Sequence, residues 1–457
     1  MKTEKLKQNV KGYVHQFEDG GLRLLRKGQK GVIHAIFSRF GLVLILLLLQ
    51  VGLLFSIFRW FGNLWPHYFG GSVVVTSAMV IYLLNSKMDN SAKITWMVVV
   101  AIAPVVGIPM FFYVKSNFGH NILRKRLLEL EDQLRGWLPQ SQKAVEQLKA
   151  LEPGAASLAK YLYGRGGGFP VYQNTAMTYF PGGEAKFEEL LRQLETAEEY
   201  IFVEYFIIDE GLMWGKILEV LARKALQGVD VRVMYDGTCE FSTLPRNYPR
   251  LLEKLNIQCK VFSPVQPFVS THYNYRDLRK ILVIDGRVGF TGGANLADEY
   301  INHIQKHGRW KDAAVMLEGE AVRSLTAQFL QMWGILKEPE YEQFLTRPIP
   351  VPENAKGVAA PYGDCPLDGE RVGEMVYIDL LNRARDYIHI MTPYLILDGE
   401  LETALKFAAE RGVDVHLILP GKPDKQFPYA LAKSHYSALL DSGVKISEWS
   451  PGFVHAK

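Results

Sequence analysis

Three long apolar runs lead the sequence, and alternating apolar and polar positions follow them. Residues 40–58 read FGLVLILLLLQVGLLFSIF, nineteen positions in which Gln50 is the one strongly polar side chain. At about 1.5 Å per helical residue this run can span a hydrocarbon core of about 30 Å. Residues 69–84 form a shorter run containing Gly70, Gly71, Ser72, Thr76 and Ser77, small residues suited to helix contact in lipid. Residues 94–114 are long enough, but Pro104, Gly107 and Pro109 interrupt them. Trp60, Trp65, Tyr68, Trp96 and Tyr113 stand near the run ends, where amphipathic rings settle at the headgroup level. The pattern predicts two or three transmembrane helices, with a buried core helix as the alternative for any one run. Arg23, Arg26, Lys27, Lys30 and Arg39 precede the first run, and Lys115, Arg124, Lys125 and Arg126 follow the third. Positive flanks on both sides place both ends in the cytoplasm. Three complete crossings cannot satisfy that, so either one run fails to cross or the amino end lies outside.

Beyond a charged helical stretch (LLELEDQLRGWL at helical spacing), the periodicity becomes that of soluble α/β protein. Residues 199–237 and 386–421 follow one plan: an apolar strand, a short loop, an amphipathic helix, Gly-Val-Asp-Val and a second apolar strand. Strand–helix–strand units imply right-handed crossovers and a parallel or mixed sheet. The two copies are offset by 184 positions, from Gly228 to Gly412, which points to a duplicated domain. The chain therefore divides into a basic amino-terminal segment (1–39), the membrane runs (40–58, 69–84 and 94–114), a charged connector (115–155), a first lobe (156–338), a Pro-rich linker (339–356) and a second lobe (357–457).

Composition refines this picture only at a few points. The 457 residues are 48% hydrophobic and 22% charged, which excludes disorder and collagen-like repeats. Cys239, Cys259 and Cys365 are far apart and odd in number, so neither a zinc site nor a disulfide framework is expected. Net charge is +4, yet residues 1–40 carry nine Lys/Arg against three Asp/Glu. The positive surplus thus lies just before the first apolar run and points to a membrane surface rather than to nucleic acid.

The chemistry gathers in two places. NYRDLRKILVIDGRVGFTGGANLADEY spaces Lys280, Asp285, Gly292, Gly293 and Asn295 in one stretch, and SPGFVHAK presents His455 two positions before Lys457. Residues i and i+2 of a strand face the same way, so His-x-Lys sets an imidazole beside an ammonium. Other roles compete: Asp285 suits a hairpin turn, Gly292 and Gly293 a close backbone approach, and Asn295 a helix cap. Glu204 and Asp312 are candidate buried acids near the pocket.

These strings, with TPYLILDGEL and LPGKPDKQFPYALAKSHY, resemble the phospholipase D superfamily, whose motif is His-x-Lys-x4-Asp-x6-Gly-[Gly/Ser]-x-Asn once per lobe, and more narrowly bacterial cardiolipin synthases. The resemblance covers nearly the whole chain. It implies duplicated phospholipase D-like lobes with mixed sheets flanked by helices. It implies phosphatidyl transfer between two phosphatidylglycerol molecules with release of glycerol, through a phosphohistidine and without metal or other cofactor. One His would attack phosphorus and the other lobe's His would protonate the leaving group, while the lysines and Asn hold phosphoryl oxygens. The implied partners are phospholipid and bilayer at the cell membrane, the lobes facing the cytoplasm, with a second copy or an intact paralogue as a protein partner.

Two departures stand out. The first motif has Leu278 where the family has His, and leucine offers neither lone pair nor titratable proton. His272 would lie about 20 Å away along an extended chain and cannot replace it. In the first lobe the stretch from Lys280 to Trp333 completes the domain. By that comparison about 50 further residues are expected after Lys457, and His455 is expected at a frayed end, poorly positioned. Activity is therefore expected to be impaired. The alternatives are a non-catalytic lipid-binding or partner-pairing protein and a hydrolase that passes the intermediate to water.

Overall fold

The computed structural model describes residues 65–86, 88, 90–115, 118–263, 276–335, 337–365 and 367–457, together with an antiparallel pair of two-residue strands, His15–Gln16 and Leu22–Arg23. Two compact units emerge, one within Lys27–Asn121 and the other holding all that is described from Ile122 onward.

The first unit contains helices α1 (Trp65–Leu84), α2 (Asn90–Ile102) and α3 (Pro104–Lys115). Met79, Leu83, Val100 and Phe111 form its small core. The third apolar run is thus two helices rather than a single crossing. Pro104 has no N–H to continue α2 and instead opens α3 at the position where proline is best tolerated. Helices of 13 and 12 residues reach only about 20 Å and 18 Å at the helical rise. Among the described residues no helix is long and apolar enough to cross a membrane. The run at 40–58 lies outside the described residues.

In the second unit, a seven-stranded mixed sheet forms the first lobe. Its strands are β1 (Thr175–Phe180), β2 (Tyr200–Tyr205), β3 (Asp230–Asp236), β4 (Gln258–Phe262), β5 (Lys280–Ile284), β6 (Val288–Gly292) and, after the short strand β7 (Arg309–Lys311), β8 (Ala314–Gly319). They run in the order β1-β8-β6-β5-β2-β3-β4. β2 pairs parallel with β3, and β3 with β4, because a helix crosses over between β2 and β3; β5, β6 and β8 join by antiparallel pairing. Every residue of β2 and β5 is buried, as expected for a sheet covered on both faces. Helices Gly183–Leu194 and Leu212–Leu226 pack on one face through Phe187, Leu190, Trp214 and Ile217. Helix Val322–Trp333 closes the other through Leu325 and Phe329, with Phe202 stacked on Phe329 at 4.4 Å. Within the segment read as a linker, Tyr341–Leu345 is a short helix that buries Tyr341, Phe344 and Leu345 in this second layer.

The second lobe repeats the motif with three parallel strands, β9 (Tyr387–Met391), β10 (Asp414–Pro420) and β11 (Lys445–Trp449), in the order β9-β10-β11. β12 (Gly452–Val454) then leaves its own lobe and pairs parallel with β7 of the first, Gly452 opposite Arg309 and Val454 opposite Lys311. Phe453, fully buried, packs with Ala294, Ala297, Tyr300 and Trp310 across that junction.

Candidate active site

The strand ends of the first lobe collect the functional groups. Tyr205 at the close of β2 lies opposite Lys280 at the opening of β5, and Gly292 at the close of β6 lies opposite Ala314 at the opening of β8. All four sit at one end of the sheet. Asp236, at the same end of β3, accepts the backbone N–H of Asp277 at 3.0 Å and so fixes the chain entering β5.

Lys280 is buried there, its ammonium donating to the Leu278 carbonyl and lying 5.6 Å from the centre of the Phe206 ring. Burial, then the Lys457 ammonium, pull its pKa down to about 7. Behind it Lys186, fully buried, donates to the Tyr205 hydroxyl and to the Ala294 carbonyl, both at 3.1 Å. Burial lowers its pKa to about 8, against the pull of Asp312. Gly292 has φ +143, and a Cβ at Gly293 would come within 2.0 Å of the Asp312 carboxylate. That close approach is why glycine stands at 293. Asn295 is fully buried; its Oδ1 accepts from the Ile207 N–H at 3.1 Å and its Nδ2 donates to the Tyr300 hydroxyl at 2.8 Å.

β12 delivers the remaining groups from the second lobe. The backbone N–H groups of His455 and Ala456 both donate to the Lys311 carbonyl, at 2.7 and 3.1 Å. His455 is therefore docked rather than frayed, because the strand before it borrows its hydrogen-bond partner from the other lobe. Its Nδ1 lies 2.8 Å from Oδ2 of Asp312, which is fully buried and whose Oδ1 accepts from the Ala313 N–H at 2.9 Å. An ionised carboxylate only accepts, so Nδ1 carries the proton and Nε2 keeps its lone pair. Burial pushes the imidazole pKa below its ordinary value; Asp312 opposes this, and the Lys457 and Lys280 ammonium groups add to it. The Tyr300 and Trp310 rings flank the imidazole at 5.4 and 5.6 Å. The Lys457 ammonium donates to the His455 carbonyl at 2.9 Å and lies 3.3 Å from Nε2. Burial lowers its pKa as well.

The structure thus brings Lys280, Gly292, Gly293, Asn295, His455 and Lys457 to one place, and Asp285 to another. Asp285 follows β5 in the turn at its far end, about 17 Å along the strand from Lys280. Its carboxylate accepts the N–H groups of Glu198, Glu199 and Tyr200 at 2.8–2.9 Å, tying the turn to the start of β2. Its role is architectural. Glu204 also lies away from the pocket, on the opposite face of the sheet, where Arg279 pairs with it at 2.6 Å. Asp312 is the residue that sequence reasoning underrated, and Lys186 the one it missed. The available signal for Lys186 was a lysine on the buried stripe of an amphipathic helix, between Gly183 and Phe187. Leu278 is 59% exposed. His272 lies outside the described residues.

An imidazole oriented by a buried carboxylate, beside two ammonium groups contributed by two lobes, is an arrangement suited to nucleophilic attack on a phosphodiester. The comparisons agree on the class. The family model "Cardiolipin synthase, PLD-like domain" matches residues 190–333 and 377–457. A cardiolipin synthase of Geobacillus kaustophilus is 34% identical over 84% of this chain and 76% of its own. An uncharacterised protein of Streptococcus mutans is 55% identical over 83% of this chain and 82% of its own. A solved phosphatidylserine synthase from Haemophilus influenzae aligns over 63% of this chain and 76% of its own, at 14% identity and a TM-score of 0.43, too low to bear on the site. The fold is that of a phospholipase D-like protein. Within that superfamily the chain belongs to the cardiolipin synthase family.

Proposed function

We propose that this protein is a membrane-associated phosphatidyltransferase acting on phosphatidylglycerol, with His455 as its nucleophile and, among the described residues, a single imidazole in its site. The observation that carries the reading is the contact between lobes: His455 held by Asp312 with Lys280 and Lys457 alongside. Nε2 would attack phosphorus, glycerol would leave, and the hydroxyl of a second phosphatidylglycerol would then displace the imidazole to give cardiolipin. The Lys457 ammonium would neutralise the non-bridging oxygens as charge builds on them. Leu278 cannot protonate the departing alkoxide, and loss of a positioned acid typically costs about 100- to 10,000-fold in rate. Slow transfer is therefore the expectation.

Association with a bilayer is supported by the sequence run at 40–58 and by the exteriors of α1–α3. Val73, Val74, Val75, Ile81 and Ile102 are exposed there, a density of apolar surface that favours contact with lipid.

Purified protein in phosphatidylglycerol micelles provides the test. Cardiolipin and glycerol in equal amounts support transfer; phosphatidic acid instead indicates hydrolysis. Leu278→His should raise turnover at least tenfold. If neither protein forms product or a phosphohistidine, the transferase assignment is wrong. Leucine at 278, which carries no titratable group, favours one second reading, a groove that binds phosphatidylglycerol without converting it, and that result would point to it.

A further inference from the structure

We infer that Lys280 is the proton donor to the leaving glycerol, standing in for the imidazole that Leu278 does not supply; this rests on the transferase reading above. In-line displacement at phosphorus puts the leaving oxygen opposite the attacking nitrogen. His455 and Lys457 come from the same strand end of the second lobe, with the Lys457 ammonium 3.3 Å from Nε2 and 3.4 Å from Nδ1. Lys457 therefore stands on the attacking side. Lys280 comes from the facing lobe, and its ammonium reaches back to the carbonyl of residue 278, the backbone position from which an imidazole would otherwise project.

Among the described residues, the other polar groups there are already engaged. Lys186 donates to Tyr205 and Ala294, and Asn295 is held by Ile207 and Tyr300. Asp312 holds His455. Among the described residues Lys280 makes one hydrogen bond, to the Leu278 carbonyl, which leaves the other N–H groups of its three to meet substrate. The charged groups facing it are Lys457, Asp312, Asp277 and Lys186. The balance of burial and these charges brings its pKa to about 7. An ammonium of that strength gives up a proton at neutral pH far more readily than an exposed lysine.

The step closes in protons and electrons. The bond from Nε2 to phosphorus forms as the bond from phosphorus to the glycerol oxygen breaks. That oxygen takes a proton from Nζ, leaving Lys280 as a neutral amine. The hydroxyl of the second phosphatidylglycerol returns a proton to Nζ while its oxygen displaces the imidazole.

The test compares phosphatidylglycerol with a phosphatidyl p-nitrophenyl ester, whose phenolate departs without needing a proton. With Lys280→Arg, which keeps the charge but holds its proton, cardiolipin formation should fall at least about 100-fold with KM changed only a fewfold. Release of p-nitrophenolate should fall by less than tenfold. Unmodified protein supplies the second measurement: its rate on phosphatidylglycerol should decline above about pH 7, and its rate on the activated ester should not. Arginine at 280 retaining transfer within threefold, or the same alkaline decline on both esters, overturns the proposal while leaving the covalent reading intact. Absence of any p-nitrophenolate burst from unmodified protein removes both.

Discussion

A carboxylate that never touches substrate can still control a reaction by choosing a tautomer. In the proposed mechanism Asp312 does this for His455: buried and 2.8 Å from Nδ1, it would leave Nε2 as the nitrogen able to attack. Asp312→Asn can present its amide hydrogens to Nδ1 and stabilise the wrong tautomer. Transfer is expected to fall about 100-fold or more, with phosphatidylglycerol binding little changed, as a separate measurement of kcat and KM would show. The pH profile carries a second reading of the same residue. His455 must be neutral to attack, and burial holds its pKa below the ordinary value. The acid limb of the rate should therefore lie below about pH 6.5, where a free imidazole would place it. Asp312 could not be found by spacing alone, because the group it serves lies 143 residues away. Asp285 misleads for the opposite reason. Its spacing from Lys280 fits a site, yet the positive φ of a hairpin turn and the three N–H groups it accepts fit the same position equally well.

At the scale of elements, the strand–helix–strand units were legible because their periods are unambiguous. Apolar runs such as YIFVEY, followed by helices with one buried stripe, leave few alternatives, and both copies form as expected. The linker was less legible: Pro-rich flanks hid five residues with enough apolar surface to dock as a helix. β12 was not legible at all. Three residues carry no period, and their partner belongs to the other lobe. That strand is held largely by Phe453, which is fully buried with its ring 4.7 Å from that of Trp310. Phe453→Ala should cost about 3–5 kcal/mol, the usual loss for truncating a buried aromatic, as urea unfolding would measure. Transfer should fall as well, since His455 is two residues away.

At the largest scale, the polar chemistry belongs to one compact unit and the apolar exteriors of α1–α3 to the other. The full chain should sediment with membranes and resist extraction by alkaline carbonate, yielding only to detergent. Recovery in the carbonate supernatant would leave a peripheral attachment instead.

The pairing of β12 with β7 makes the reactive pocket a seam: half of it belongs to each lobe, and neither lobe owns a working part. Whatever loosens that stitch, whether mild denaturant or a substitution at Trp310, draws the nucleophile off its carboxylate while both sheets stay folded. Loss of chemistry would then run ahead of loss of structure, and a bound phosphodiester, gripping both sides at once, would act as a clasp that holds the protein shut.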